Sequence, residues 1–208
     1  MESKNNKIKN NFLDKNIIKD AMLYIDGLNI NPSISNKHIS HISKKLNGDS
    51  IMFDISKTDI SKYLSNYQSD KNVLEYKLPN LFIDILHKIE NFIGIKSEHT
   101  FLQIIDMNKG GFVSPHYDSS VDGFINYKCN IPILSEEYNL FIDKDIIKVR
   151  QNDLYCFESS LYKHWTKEFN SRRVLLSYGL ILEYDKLNRR EDDFRIRLSK
   201  RINKYFQK

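Results

Sequence analysis

The sequence predicts an α+β fold that is mainly β, with helices in the N-terminal part and a double-sheet antiparallel β core behind them. Up to residue 98, apolar residues recur at the spacing of amphipathic helices. Beyond it, the pattern changes to short runs of β-forming residues separated by turn formers. Because many short strands at close intervals form closed or two-sheet structures, we expect the helices to lie against one sheet.

The composition is that of a globular protein from a reducing compartment. The 208 residues are 40% apolar and 12% aromatic, which suits one domain with a substantial core. Cys129 and Cys156 are too few for a disulfide framework and lack C-x-x-C spacing. The polar start and the lack of about 18 consecutive apolar residues predict a cytoplasmic protein with no membrane span. The net charge of +5 comes mostly from lysine and adds little weight to a nucleic-acid partner.

Four regions are predicted along the chain. Residues 1–11 are polar and are expected to form a disordered tail. Residues 12–98 form a helical support region, residues 99–183 form the β core, and residues 184–208 contain a basic helix. We therefore expect any functional site to be built on the β core, with the helices as its support.

The helical region contains three helix patterns and one strand pattern. The first helix is expected to end at Gly27, and a second, short one is expected over residues 39–46. Residues 51–55, "IMFDI", are typical of a strand. The clearest helix is "LPNLFIDILHKIENFIG", where Asn80 is expected to cap the start and Gly94 to end the helix.

The β core is predicted from six apolar runs. They are "HTFLQIIDM", "FINYKCNIPIL", "YNLFI", "IIKV", "DLYCF" and "RRVLLSYGLIL". The segments between them, such as "NKGG", "DKD" and "RQND", are rich in turn-forming residues. These runs predict at least six antiparallel strands.

A last helix is predicted to begin at Asn188. Acidic residues are expected in its first turn, where they complement the helix dipole: Glu191, Asp192 and Asp193. Its other faces are rich in Arg and Lys, which favours a solvated surface over a nucleic-acid or membrane surface.

The stretch "SPHYDSS" places His116 two residues before Asp118. By chance alone, about one in two chains of this composition would contain such a motif, so the residues around it must decide whether it binds a metal. Only His116 and His164 fall where loops adjoin strands of the β core. The other four histidines lie in helical segments or open a strand, and no metal role is assigned to them: His38, His41, His87 and His99.

Two imidazoles and one carboxylate on one side of an ion form the facial triad of non-haem Fe(II) sites. Residues two apart in an extended segment point to the same side, so His116 and Asp118 can reach one ion while Tyr117 points away. His164 follows 46 residues after Asp118. That interval accommodates four short strands, enough for the chain to return to its starting point.

Arg173 stands nine residues after His164, at the head of the last apolar run. A buried arginine there is suited to hold a dicarboxylate through a two-pronged, charge-assisted pair. Alternation along a strand places Arg172 on the opposite face, so we favour Arg173.

His116, Asp118, His164 and Arg173, in this order and on a late β region, resemble the Fe(II)- and 2-oxoglutarate-dependent oxygenase superfamily, with its prolyl hydroxylase-like and AlkB-like members. The resemblance covers residues 99–183 and implies a double-stranded β-helix, a jelly-roll or cupin-like fold. It implies that His116, Asp118 and His164 bind Fe(II) and that Arg173 binds the distal carboxylate of the cosubstrate 2-oxoglutarate. O₂ is then the oxidant, and succinate and CO₂ are released while a substrate C–H bond is hydroxylated.

The chain also departs from branches of that superfamily. Many members have Arg-x-Ser on the cosubstrate strand, whereas here Ser177 stands four residues after Arg173. AlkB-like members usually have Asn-x-Tyr before the first histidine, where this chain has "IDM" at 105–107. The carboxylate of Asp118 argues against the related halogenases. These features favour hydroxylation of a peptide side chain or small molecule, with AlkB-like demethylation of nucleic acid and a non-catalytic cupin-like binding domain as alternatives.

Several residues near the motif have two interpretations. Tyr127 and Asn130 either contact cosubstrate or substrate or pack in the core, and Trp165 either walls the site or belongs to the core. Residues 119–124 are suited to a substrate lid. Lys128 either meets an acidic substrate or is a surface lysine.

Overall fold

The computed structural model describes residues 6–28, 48–55 and 78–206. The helix predicted over residues 39–46, with His38 and His41 beside it, lies outside the described residues. The whole of the predicted β core lies within them, as do the first helix and the helix that begins near residue 80.

Six strands form the larger sheet. They are β1 (Lys7–Lys9), β2 (Gly48–Asp54), β3 (His99–Met107), β4 (Phe124–Leu134), β7 (Leu154–Glu158) and β9 (Arg173–Glu183). Their order across the sheet is β1-β7-β4-β9-β3-β2, and every neighbouring pair is antiparallel. The long central strands β4 and β9 are buried along almost their whole length, as expected for strands covered on both faces.

Three short strands form the smaller sheet. They are β5 (Tyr138–Ile142), β6 (Asp145–Val149) and β8 (His164–Thr166), in the order β6-β5-β8. A single bridge between His116 and His164 joins the segment before β4 to this sheet. The two sheets form the double-stranded β-helix that the sequence predicts, and the strand interpretations of all six apolar runs are confirmed.

The described helices are α1 (Lys15–Asp26), α2 (Asn80–Ile93) and α3 (Phe194–Phe206), with a 3-10 turn at Tyr184–Leu187. Helices α1 and α2 pack on one face of the larger sheet, where the Tyr178 hydroxyl donates a hydrogen bond of 3.0 Å to the carbonyl of Phe82. The opposite face of the sheet points into the barrel. In β9 this inward face carries Arg173 and Ser177, whereas Tyr178 points to the helices.

Two predicted helix starts are wrong. Asn80 is the first residue of α2, and Pro79 precedes it as the cap residue with no side-chain cap bond. Pro79 is in an extended conformation (φ −61°, ψ 147°), which its ring allows and which a cap position requires. Gly94 ends α2 as predicted, in the left-handed region at φ 76°, where glycine carries no steric penalty.

Asn188 does not begin the last helix. It adopts the left-handed conformation (φ 54°) and ends the 3-10 turn, a role that asparagine tolerates better than most residues. Helix α3 begins at Phe194, and the carboxylate of Asp193 accepts a 2.8 Å hydrogen bond from the amide of Arg195. Glu191, Asp192 and Asp193 therefore precede the helix and do not form its first turn.

Strand β1 lies within the segment predicted to be a disordered tail. Lys7–Lys9 pair with β7, and the ammonium of Lys7 donates to the carbonyl of Ile93 at 2.6 Å. Backbone pairing at an open sheet edge needs no apolar pattern, so the polar sequence gave no sign of this strand. Among the described helices, none is both long enough and apolar enough to cross a bilayer.

Candidate metal centre

His116, Asp118 and His164 meet at one point inside the barrel. One ligand atom from each lies within 4.8 Å of the others. Nε2 of His116 is 3.5 Å from Oδ1 of Asp118, and Nε2 of His164 is 3.9 Å from Oδ2 of the same carboxylate. The two imidazole rings are 4.2 Å apart, centre to centre. The structure thus brings together all three residues that the sequence predicts to be ligands.

Backbone pairing holds the three residues in place. His116 and His164 exchange two hydrogen bonds, of 3.1 Å and 2.9 Å, across their bridge. The amide of Asp118 donates to the carbonyl of Ser159 at 3.0 Å. Strands β4 to β7 occupy the interval between Asp118 and His164, so the chain makes the four-strand circuit that the spacing predicts.

Both imidazoles present Nε2 to the centre. Nδ1 of His116 is 2.8 Å from the carbonyl of Ser114, and Nδ1 of His164 is 3.1 Å from the carbonyl of Tyr162. Because a carbonyl oxygen only accepts hydrogen bonds, each Nδ1 is assigned as the donor, which leaves each Nε2 as the nitrogen that faces the other two residues. This is how metal-binding histidines are usually oriented by their outer partners.

The protonation states also suit a cation. Burial and the neighbouring His116 lower the pKa of His164 to about 3, so its ring is neutral near neutral pH. Burial alone would raise the pKa of Asp118, but the Lys128 ammonium and the two histidines hold it well below its usual range. An ionised carboxylate at Asp118 and a neutral imidazole at His164 are the states in which these groups bind metals.

Arg173 lies at the deep end of the same barrel and is only 2% exposed. Its Nη2 donates to the hydroxyl of Tyr138 at 2.8 Å and, at 3.4 Å, to that of Tyr155. The guanidinium carbon is 4.6 Å from the ring centres of both Tyr138 and Phe169. No described carboxylate pairs with it, and its Nε has no hydrogen-bond partner in the described part of the chain.

Arg172 has the opposite environment. Its side chain is 41% exposed, and its guanidinium pairs with Asp26 at 2.8 Å and Asp106 at 2.7 Å outside the barrel. The buried arginine is therefore the one that still needs an anion.

No model of a known protein family matches the chain, and no curated protein sequence does. Solved structures do. A prolyl hydroxylase from Trichoplax adhaerens, in complex with a hypoxia inducible factor oxygen degradation domain peptide fragment, is 11% identical, with a TM-score of 0.55 over 89% of this chain and 88% of the other. A 2OG-Fe(II) oxygenase family oxidoreductase from Burkholderia pseudomallei is 13% identical, with a TM-score of 0.53 over 84% and 83%. The chain has the fold of the Fe(II)- and 2-oxoglutarate-dependent oxygenases.

A third structure with this oxygenase fold is the viral collagen prolyl hydroxylase of Paramecium Bursaria Chlorella virus-1 in its 2-oxoglutarate complex. It is 11% identical, with a TM-score of 0.52 over 86% of this chain and 97% of the other. The donor set here suits both groups: two imidazoles and a carboxylate suit Fe(II), and a buried guanidinium lacking an anionic partner suits a dicarboxylate.

The inner wall of the barrel between the candidate metal centre and Arg173 is polar. Asn130 on β4 lies directly opposite Ser177 on β9, and both side chains are buried. The Asn130 Oδ1 and the Ser177 Oγ have no hydrogen-bond partner among the described residues. Buried polar atoms without partners are rare in native proteins and point to a polar ligand or water.

Two neighbouring residues with open interpretations face away from this wall. Tyr127 is buried beside Cys129 and Cys156 on the helix-covered face of the sheet, so it belongs to the core. Trp165 stacks on Phe141 on the outer face of the smaller sheet, with ring centres 5.1 Å apart, so it does not wall the site.

Sequence reasoning did not identify the aromatic residues around Arg173. Tyr138, Tyr155 and Phe169 come from different loops and strands, so no local spacing links them to Arg173. The interpretation of Lys128 as a surface lysine is wrong, because its side chain is 13% exposed and lies 3.0 Å from Asp118. Its position was available from strand alternation, since Lys128 shares a face of β4 with Asn130.

Proposed function

We propose that the chain is an Fe(II)- and 2-oxoglutarate-dependent dioxygenase that hydroxylates a C–H bond of a peptide side chain or small molecule and releases succinate and CO₂. The observation that carries this proposal is one interior that holds a His-Asp-His cluster and a buried arginine that pairs with no described carboxylate. Each feature alone has structural explanations, but together they match the metal and the dicarboxylate that the reaction needs.

The geometry supports a role for each ligand residue. His116 and His164 would bind iron through Nε2, and Asp118 through a carboxylate oxygen. Arg173 would bind the distal carboxylate of 2-oxoglutarate, with the hydroxyls of Tyr138 and Tyr155 beside it. When bound, iron and 2-oxoglutarate supply the oxidising chemistry, in which O₂ gives one oxygen atom to the substrate and one to succinate.

The chain itself binds, orients and excludes water. The tyrosine and phenylalanine rings around Arg173 keep the guanidinium in a low-dielectric site, where its attraction for a carboxylate is strongest. The carbonyls of Ser114 and Tyr162 fix the two imidazoles. No side chain is needed as a general base.

A peptide substrate is supported by the Trichoplax adhaerens structure, which contains a peptide. AlkB-like action on nucleic acid is less well supported. Asp106 lies where AlkB-like chains usually have their Asn-x-Tyr motif and forms a structural pair with Arg172. The cytoplasmic location and the lid role of residues 119–124 stay predictions.

Anaerobic titration of the full chain with Fe(II) and then 2-oxoglutarate tests the proposal. We expect a weak visible charge-transfer band in the wild type and its loss in Asp118→Ala. Asp122→Ala is the matched control, because Asp122 is an exposed aspartate four residues away, and it should keep the band. If the wild type forms no band and, in the presence of O₂, releases no succinate, the non-catalytic cupin-like binding domain becomes the better interpretation.

A further inference from the structure

Lys128 is a cation inside the barrel that the proposed reaction does not use. Its side chain is 13% exposed, and its Nζ lies 3.0 Å from Oδ2 of Asp118. In the described part of the chain, Asp118 is its one ion-pair partner. Across the sheet, Lys128 lies opposite Gly179, where β9 has no side chain and the ring of Phe101 packs in its place.

The shielded interior carries an excess of positive charge. Lys128 and Arg173 are cationic and Asp118 is anionic, so these three interior charges sum to +1. The charges of Fe(II) and of the 2-oxoglutarate dianion cancel each other. The loaded site would therefore keep one positive charge without a counter-ion, and an uncompensated charge in a shielded site is costly.

Asp118 cannot supply that counter-ion fully in the loaded state. Its carboxylate would then be a metal ligand, and the charge that it shares with iron is withdrawn from Lys128. In the metal-free chain the same carboxylate pairs with Lys128 at 3.0 Å. Binding of a metal thus leaves the ammonium needing a second anion.

A second observation places a polar ligand at this position. Asn126 is the next inward residue of β4 towards the loop of residues 119–123, and it is 3% exposed. Its Oδ1 is buried and has no hydrogen-bond partner among the described residues. Lys128 and Asn126 together offer a cation and an amide beside the metal centre, on the side away from Arg173.

We infer that Lys128 determines substrate class: the substrate carries a carboxylate or a phosphate group that pairs with Lys128 while its C–H bond is presented to the metal centre. This inference rests on the proposed function. Arg173 already serves the distal carboxylate of the cosubstrate, so the charge at Lys128 is available for the substrate.

Equilibrium binding to the full chain, loaded anaerobically with Fe(II) and saturating 2-oxoglutarate, tests this inference. The carboxylate arm compares N-acetylglutamate amide with the neutral N-acetylglutamine amide. The phosphate arm compares N-acetylphosphoserine amide with N-acetylserine amide. We expect at least one anionic probe to perturb the charge-transfer band at concentrations about tenfold lower than its neutral counterpart.

Three variants accompany the wild type. Lys128→Met keeps the length of the side chain without its charge and should abolish the preference for the anionic probe. Lys128→Arg should retain most of that preference. Lys167→Met removes an exposed lysine that lies over Phe141 on the outer face of the smaller sheet, and it should bind all probes as the wild type does.

The possible outcomes separate the inference from the proposed function. If the wild type forms no charge-transfer band, the proposed function fails first. If the band forms but the wild type binds anionic and neutral probes alike, the inference is overturned whatever the variants do. It is also overturned if Lys128→Met keeps the preference, or if this variant weakens 2-oxoglutarate binding alone, because Lys128 would then serve the cosubstrate.

Discussion

A buried ion pair joins the C-terminal segment to the turn that leads to His164. Arg189 donates to Glu158 through Nε at 3.0 Å and through Nη2 at 2.7 Å, and the two side chains are 5% and 0% exposed. Arg189 also pairs with Asp193 at 2.8 Å and with the hydroxyl of Tyr162 at 2.8 Å. The hydrogen bonds that Arg189 donates to Glu158 raise the pKa of Arg189 above its already high value, so its guanidinium stays charged at any working pH.

Replacing Arg189 by methionine keeps the apolar stem and removes the guanidinium. Glu158 then remains as a fully buried carboxylate without its cation, and breaking one side of such a pair costs about 3 to 5 kcal/mol. For a chain of this size, about 2 to 4 °C is lost per kcal/mol, so we expect the melting temperature to fall by roughly 6 to 20 °C. Replacing both partners, in Arg189→Met with Glu158→Leu, should recover most of the loss.

Thermal and urea unfolding of the three proteins, followed by circular dichroism, measure these differences. Arg172→Met serves as the control, since its bonds to Asp26 and Asp106 lie at the surface. A single variant within about 1 kcal/mol of the wild type would show that Glu158 is not desolvated as described. A double variant that is no more stable than the single one would show that the loss does not come from the stranded carboxylate.

Three further predictions concern the barrel. Arg173→Met should weaken 2-oxoglutarate binding by about 2 to 5 kcal/mol, measured by calorimetry on the Fe(II)-loaded chain, and an unchanged affinity would contradict the assigned role. Gly179→Ala should destabilise the fold by about 1 to 3 kcal/mol, because a methyl group there would collide with the ring of Phe101, and Phe101→Leu in the same chain should relieve part of this loss. Arg172→Met should change the free energy of unfolding by no more than about 1 kcal/mol, since its ion pairs are solvated, and a larger loss would contradict that description.

The β core was predictable because its strands are defined locally. Turn-forming residues bound each apolar run, and the runs match strands β3 to β7 and β9 closely. Strand β1 was not predictable, because its stability comes from pairing with β7 far along the chain. Asn188 was ambiguous for another reason, since asparagine favours both a helix start and the left-handed conformation that it adopts here.

The candidate metal centre was more predictable than its surroundings. The two-residue spacing of His116 and Asp118 indicates that their side chains point to the same side. The number of strands that fit before His164 indicates that the chain can return to the same place in the fold. Tyr138 and Tyr155 carry no such information, because their contact with Arg173 depends on how the two sheets face each other. Pattern reasoning therefore identifies residues that share a strand or a circuit and misses those that meet across the barrel.

The positive charges of this chain show why their number is a poor guide to their role. In the basic C-terminal helix, Arg195 pairs with Asp143 and Lys200 pairs with Asp122, each at 2.8 Å, so these cations hold the helix to the core. Such charges are neutralised at short range and would attract a nucleic acid only weakly. Lys128 is a single charge in the β core, but it is shielded from solvent, and its partner is expected to be shared with a metal. Because attraction between charges grows as the surroundings become less polar, this one lysine should influence substrate choice more than the whole basic helix does.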